Sequence, residues 1–203
     1  MPLLEIQQID ESTTLGLWKM DESAQELSEH YPLLHHAYQD ACRLFTLEAR
    51  RRERMSVRAL LLEMNGRQPV DIFYNDAGRP LLDDGRIISI SHTRGVVAVI
   101  LSSLHQVGVD VEWRSDRVSR VVGRFLRPDE MTDCLEKQLL LWSAKEAVFK
   151  LFSADRLRFE EMRALPFEVA DEGVFSMENM RHNIVVSVCY RQTDDFVLTY
   201  VSL

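Results

Sequence analysis

The chain has 203 residues, 46% hydrophobic and 28% charged, an ordinary globular composition that excludes disordered, collagen-like and disulfide-scaffold classes. Its length fits one large domain or two small ones, with enough chain to bury a core without staples. A net charge of −8 argues against general nucleic-acid binding.

Residues 2–9 read as a strand, and Glu22 to Glu29 as a short helix. Residues 36–64 read as one long helix or two. Leu44, Leu47, Met55, Leu60, Leu61, Leu62 and Met64 fall at roughly helical spacing, and Asn65-Gly66 ends the run. Val70–Tyr74 reads as a strand, followed by turn chemistry from Asn75 to Pro80. Ile87–Ser91 and Val96–Ser102 are β-branched strands, with a turn at residues 103–106. In Val107–Glu112, Val107, Val109 and Val111 face one way, and Gly108, Asp110 and Glu112 the other. Residues 128–152 read as a helix opened by Pro128, Asp129 and Glu130. Ile184–Tyr190 and Phe196–Val201 read as a hairpin. The order of elements up to about residue 104 is echoed from about 105, which points to two similar halves.

The cysteines, Cys42, Cys134 and Cys189, form no CxxC and no Cys/His cluster. They read as reduced, mostly buried thiols of a cytoplasmic protein. The opening Met-Pro-Leu-Leu-Glu has no basic region and no long apolar core, so no signal peptide is expected. The uncharged stretch 95–109 is too short and too polar for a membrane span. Charge is unevenly spread: residues 41–58 carry six arginines against two glutamates, and residues 114–127 five arginines against one aspartate. Such clusters suit a compact polyanion. Arginines that merely solvate helix faces would give the same pattern.

Three features carry chemistry. Asp110 and Glu112 share a strand face with Gly108, so two like charges meet on an open surface and call for protons or a cation. Two solvated acids on an exposed edge strand are the plainer alternative. In Trp142–Lys150, Glu146 and Lys150 are four apart on one helix face. A surface ion pair would explain them, but the apolar flanks (Leu139 to Trp142, Val148, Phe149) describe a largely buried helix whose charges need partners. A third carboxylate beside Asp110 and Glu112 would complete an all-oxygen site suited to Mg²⁺. Ser91-His92 ends a strand, where a hydroxyl and an imidazole can meet a phosphate. Arg58 and Arg79 can do so with a fixed charge.

Together these motifs resemble a known family. Val107–Glu112 (VGVDVE) resembles the G-[IV]-D-[IV]-E strand of 4′-phosphopantetheinyl transferases, and Trp142–Lys150 (WSAKEAVFK) their W-[ST]-x-K-E-A-x-x-K helix. Ile88–Thr93 resembles their I-S-x-S-H-[ST] strand end. Gly78-Arg79-Pro80 resembles their G-K-P turn, with Arg for Lys. Arg52-Glu53 with Arg58 loosely resembles R-x-E-x-x-x-x-R, and Phe125–Glu130 the F-[FL]-x-P-x-E link. The matched span is about residues 50–152.

The resemblance implies an α+β fold of two similar halves related by a pseudo-twofold, 1–104 and 105–203. The second half carries the metal motifs, and the site lies between the halves. It also implies a monomer of the larger, surfactin synthetase activator-like type, because more than 100 residues precede the Gly-x-Asp strand. The implied activity is that of a holo-[acyl-carrier-protein] synthase. It moves phosphopantetheine from coenzyme A to a serine of an apo acyl or peptidyl carrier protein and releases adenosine 3′,5′-bisphosphate. Mg²⁺ would be held by Asp110, Glu112 and Glu146. Glu112 or Glu146 would take the serine proton. Lys150 would offset phosphate charge, and Arg58, Arg79, Ser91 and His92 would hold the adenosine phosphates. The arginine-rich segment 114–127 suits an acidic carrier. The alternatives are a non-catalytic relic that binds coenzyme A or a carrier, and, more remotely, an RNA-binding module. No nucleic-acid or membrane partner is expected.

Overall fold

A computed structural model describes residues 2–203. The chain divides into two compact units, Met1–Leu104 and His105–Leu203, each with its own helices and antiparallel sheet, and the fold class is α+β.

In the first unit, β1 (Leu3–Gln8) and β2 (Thr13–Lys19) form a hairpin followed by α1 (Ala24–His30), α2 (His35–Leu44) and α3 (Glu48–Met64). A small hairpin of β3 (Ile72–Tyr74) and β4 (Pro80–Leu82) precedes β5 (Ile87–Thr93) and β6 (Val96–Ser102). The main sheet has the order β1-β2-β6-β5. α1 starts on a capping box: the Ser23 hydroxyl accepts from the Glu26 N–H, and the Glu26 carboxylate accepts from the Ser23 N–H. Met55, Ala59, Leu60 and Leu61 of α3 share one core with Trp18, Ile88, Val97 and Val99 of the sheet.

The second unit runs β7 (Val107–Trp113), α4 (Val122–Phe125), α5 (Leu135–Leu151), β8 (Met162–Ala164), β9 (Glu172–Asn179), β10 (Ile184–Gln192) and β11 (Phe196–Ser202). Its sheet order is β7-β11-β10-β9-β8. α5 is buried or half-buried at every position but Phe149, polar residues included. Its buried polar groups are matched. Ser143 Oγ lies 2.9 Å from Thr199 Oγ1, and Gln138 accepts from Ser119 Oγ at 2.6 Å and donates to the Thr132 carbonyl at 2.7 Å.

The two units share a wiring pattern. In each, the strand preceding the long helix pairs with the last strand, which pairs with the penultimate one: β2-β6-β5 and β7-β11-β10. In each, a 17-residue helix packs on the first and last of these strands. A glycine sits at each contact. A Cβ on Gly16 would lie 2.6 Å from Met64 Sδ and 2.9 Å from Leu60 Cδ1, and a Cβ on Gly108 only 2.0 Å from the Ala147 carbonyl oxygen.

Several expected elements differ. Of the two alternatives for residues 36–64 the two-helix one holds, because Phe45 turns extended after α2 and α3 starts afresh at Glu48. The helix expected over 128–152 starts at Leu135. Pro128–Glu130 is a single 3-10 turn, because the Glu130 side chain is drawn inward to Lys145. β2, β4, β8 and β9 had no expected counterpart. Nor are the cysteines buried: Cys134 is exposed, and Cys42 and Cys189 are half-buried. Among the described residues no helix is long and apolar enough to cross a membrane.

The Gly108 contact predicts that Gly108→Ala forces α5 off its strand. The clash is with backbone, so the loss should be about 3 kcal/mol, a fall in Tm of roughly 6–12 °C for a chain of this size. Gly123→Ala, where a Cβ meets nothing within 4 Å, should leave the melt essentially unchanged. Thermal unfolding of the two variants checks this.

Candidate active site

β7 and α5 build the charged cluster of the second unit. Strand alternation puts Gly108, Asp110 and Glu112 on the face that meets α5. On the helix, Trp142, Glu146 and Lys150 are each four residues apart and share a face. Gly108 meets Ala147 and Leu151, Asp110 meets Lys150, and Glu112 meets Trp142.

The Lys150 ammonium donates to Asp110 Oδ1 at 2.8 Å and to the Val109 carbonyl at 2.9 Å. The Asp110 side chain is 5% exposed. The Trp142 indole N–H donates to Glu112 Oε1 at 2.7 Å. Burial, followed by the negative charge of Asp110, pushes the Glu112 carboxyl up to about 7, even though the indole hydrogen bond pulls the other way. Burial and then Asp110 also raise Glu146, against the pull of Lys150. The three carboxylates therefore act on one another electrostatically and are short of positive charge.

That donor set, all oxygen and strongly anionic, has the chemistry of a Mg²⁺ site. Among the described residues, no set of three or more His, Cys, Asp and Glu side chains converges as a ready-made metal cage. Asp110 instead spends one oxygen on Lys150.

A second group of charges lies within the first unit. Arg50, Arg54 and Arg58 repeat every four residues on α3. With Phe45, Glu53, Tyr74, Ile90 and His92 they line a cavity of about 350 Å³. Arg54 lies 5.9 Å from the ring centres of both Phe45 and Tyr74. Its Nε is buried with no hydrogen-bond partner among the described residues. Burial, then the neighbouring Arg54, lowers the pKa of Arg58. Two guanidinium groups pressed together in a partly dry cleft suit an anion.

Of the four residues expected at the adenosine phosphates, Arg58 and His92 line this cavity. Arg79 does not, although its neighbours Gly78 and Pro80 do. Ser91 lies on the other face of β5: Ile88, Ile90 and His92 alternate toward α3, and Ser89, Ser91 and Thr93 away from it. Arg54, and Trp142 as more than the first letter of its motif, are not among the expected site residues. Each falls four residues before an expected site residue, Arg58 and Glu146, and helical spacing alone would have found both.

In the 114–127 segment, Val118, Phe125 and Leu126 are buried in the core of this unit. Arg114 binds Glu136 at 3.1 Å, and Arg127 donates to Asp129 at 3.0 Å and to the Glu160 carbonyl at 2.6 Å. Arg117, Arg120 and Arg124 are exposed.

Residues 106–201 match the model of the 4′-phosphopantetheinyl transferase superfamily. The second unit of the chain therefore carries the pattern of this superfamily. The matched segment contains β7 and α5, and so every carboxylate of the cluster. No curated protein matches the chain. Members of the superfamily are transferases of the phosphopantetheinyl group.

The raised Glu112 carboxyl gives a pH-dependent prediction. Its unfolded value is near 4.5 and its folded value about 7. Ionised Glu112 therefore costs folding stability that sets in above pH 4.5 and is complete above pH 7. In metal-free protein, Glu112→Gln should raise stability at pH 8 by about 1–2 kcal/mol, allowing for solvent screening of a half-buried group. It should change nothing at pH 4. Equal melting shifts at both pH values would contradict this assignment.

Proposed function

We propose that the chain transfers 4′-phosphopantetheine from coenzyme A to a serine hydroxyl of an apo carrier protein. The observation that supports this best is the gathering of Glu112 and Glu146 near the Asp110–Lys150 pair across β7 and α5, within the segment that matches the superfamily. Serine oxygen must attack a phosphorus of a pyrophosphate, which repels nucleophiles. Asp110, Glu112 and Glu146 are the residues that would hold Mg²⁺, which when bound screens that charge and stabilises the leaving group.

The chain's own groups supply the rest. Serine Oγ bonds to the β-phosphorus of coenzyme A. The bond from that phosphorus to the bridging oxygen breaks, and the electron pair leaves with adenosine 3′,5′-bisphosphate. One of the two raised carboxylates, Glu112 or Glu146, accepts the serine proton, since burial makes each a stronger base than an ordinary carboxylate. Lys150 turns from Asp110 toward the phosphate as charge develops there. Arg58 and His92, joined by Arg54, hold the phosphates of the adenosine portion. Arg79 and Ser91 are assigned there on their motifs alone. The acidic carrier meets Arg117, Arg120 and Arg124, whose intervening apolar residues serve the core instead.

The test is intact-mass spectrometry of an apo acyl carrier protein, and in parallel a peptidyl carrier, incubated with the chain, coenzyme A and Mg²⁺. The expected result is the gain of one phosphopantetheine, abolished by EDTA. Glu146→Gln should lower kcat/KM by about 10²–10³-fold, the scale of losing one preorganised electrostatic group. No gain on either carrier would overturn the reading and favour a binding relic, and full activity in Glu146→Gln would overturn the role given to Glu146.

A further inference from the structure

The indole of Trp142 packs against two aromatic rings. Phe125 meets it edge-on with ring centres 5.1 Å apart, and Phe159 lies 5.5 Å away. These rings come from different segments, the last residue of α4 and the 3-10 turn before β8. Their backbone carbonyls accept from one and the same ammonium: Lys145 Nζ donates to the Phe125 oxygen at 2.8 Å and to the Phe159 oxygen at 3.3 Å. Its third bond goes to Glu130 Oε2 at 2.5 Å. Glu130 is itself fully engaged, accepting from the Arg127 N–H at 3.0 Å and the Ala164 N–H at 2.7 Å.

Lys145 is 0% exposed and Glu130 8%. With three acceptors met, Lys145 has no donor left for a substrate. Buried ion pairs of this kind add little stability over apolar residues of the same size. What this one does, and an apolar pair would not, is fix the two main-chain carbonyls of the residues whose rings pack on Trp142.

We propose that Lys145 is a positioning residue: it ties Phe125 and Phe159 around Trp142 and so holds the indole N–H on Glu112. The activity arm of its test rests on the phosphopantetheinyl-transfer reading. The spectroscopic arm does not.

Two variants are compared singly and together: Lys145→Met, which keeps the stem, and Trp142→Phe, which keeps a ring but loses the N–H. In the spectroscopic arm, the emission of Trp142 is obtained by difference against Trp142→Phe. Lys145→Met should shift that emission to the red and increase its quenching by acrylamide. In the activity arm, each single variant should lose kcat by about 10–100-fold, with KM for coenzyme A changed by less than about twofold. The double variant should be no slower than Trp142→Phe alone, because Lys145 acts through Trp142.

Unchanged Trp142 emission and quenching in folded Lys145→Met would overturn the proposal, and so would losses that multiply in the double variant. If Lys145→Met does not fold, Lys145→Met/Glu130→Leu removes both charges, and the same readouts decide. A wild-type chain that modifies no carrier sinks the functional reading, while the fluorescence result still settles the role of Lys145.

Discussion

The close contact of β7 with α5 at Gly108 is the constraint on which the site depends. No side chain fits there, because even a Cβ would stand 2.0 Å from the Ala147 carbonyl oxygen. This approach lets short side chains meet across the gap. Asp110 reaches Lys150, and Glu112 reaches the Trp142 indole. A larger residue at 108 would separate strand from helix, and the charges would be left buried without partners, a costly arrangement. Packing and chemistry are thus one design. The glycine excludes its own side chain so that the next two residues on its face can be carboxylates.

The first unit shows what the same framework does without that chemistry. Gly16 makes the equivalent contact with Leu60 and Met64 of α3. Matching the two glycines puts Trp18 where the second unit has Asp110. Matching Leu60 and Met64 with Ala147 and Leu151 puts Ala59 at Glu146 and Glu63 at Lys150. Trp18 and Ala59 are both fully buried in an apolar core. The first unit therefore spends this face on packing, and its charged residues gather instead in the Arg50–Arg54–Arg58 cleft beside His92. One framework serves two purposes through a few substitutions along a strand and a helix.

Much of this was legible in the sequence where a single period governs a segment. The alternation of Val107–Glu112 and the four-residue spacing of Glu146 and Lys150 gave the two faces of the cluster directly. Segments that break their own period were not legible. β2 (TTLGLWK) has no polar–apolar alternation, because its residues are buried on both faces. β9 places Asn179 inward with Phe175 and Met177. Glu130 looked like a favourable first-turn acid of a long helix. Its real partner, Lys145, is fifteen residues away, and no local pattern reports such a bond. The Trp142–Glu112 hydrogen bond joins residues thirty positions apart and was hidden for the same reason. Ser91 and His92 read as one motif, but strand geometry sends them to opposite faces.

We propose that Asp110, Glu112 and Glu146 of the second unit together hold one divalent cation alongside coenzyme A. Calorimetric titration of Mg²⁺ into the chain saturated with coenzyme A tests it most directly. One cation per chain is expected, with that binding lost in Asp110→Asn. Binding that survives unchanged in Asp110→Asn, or no cation bound at all, would contradict it.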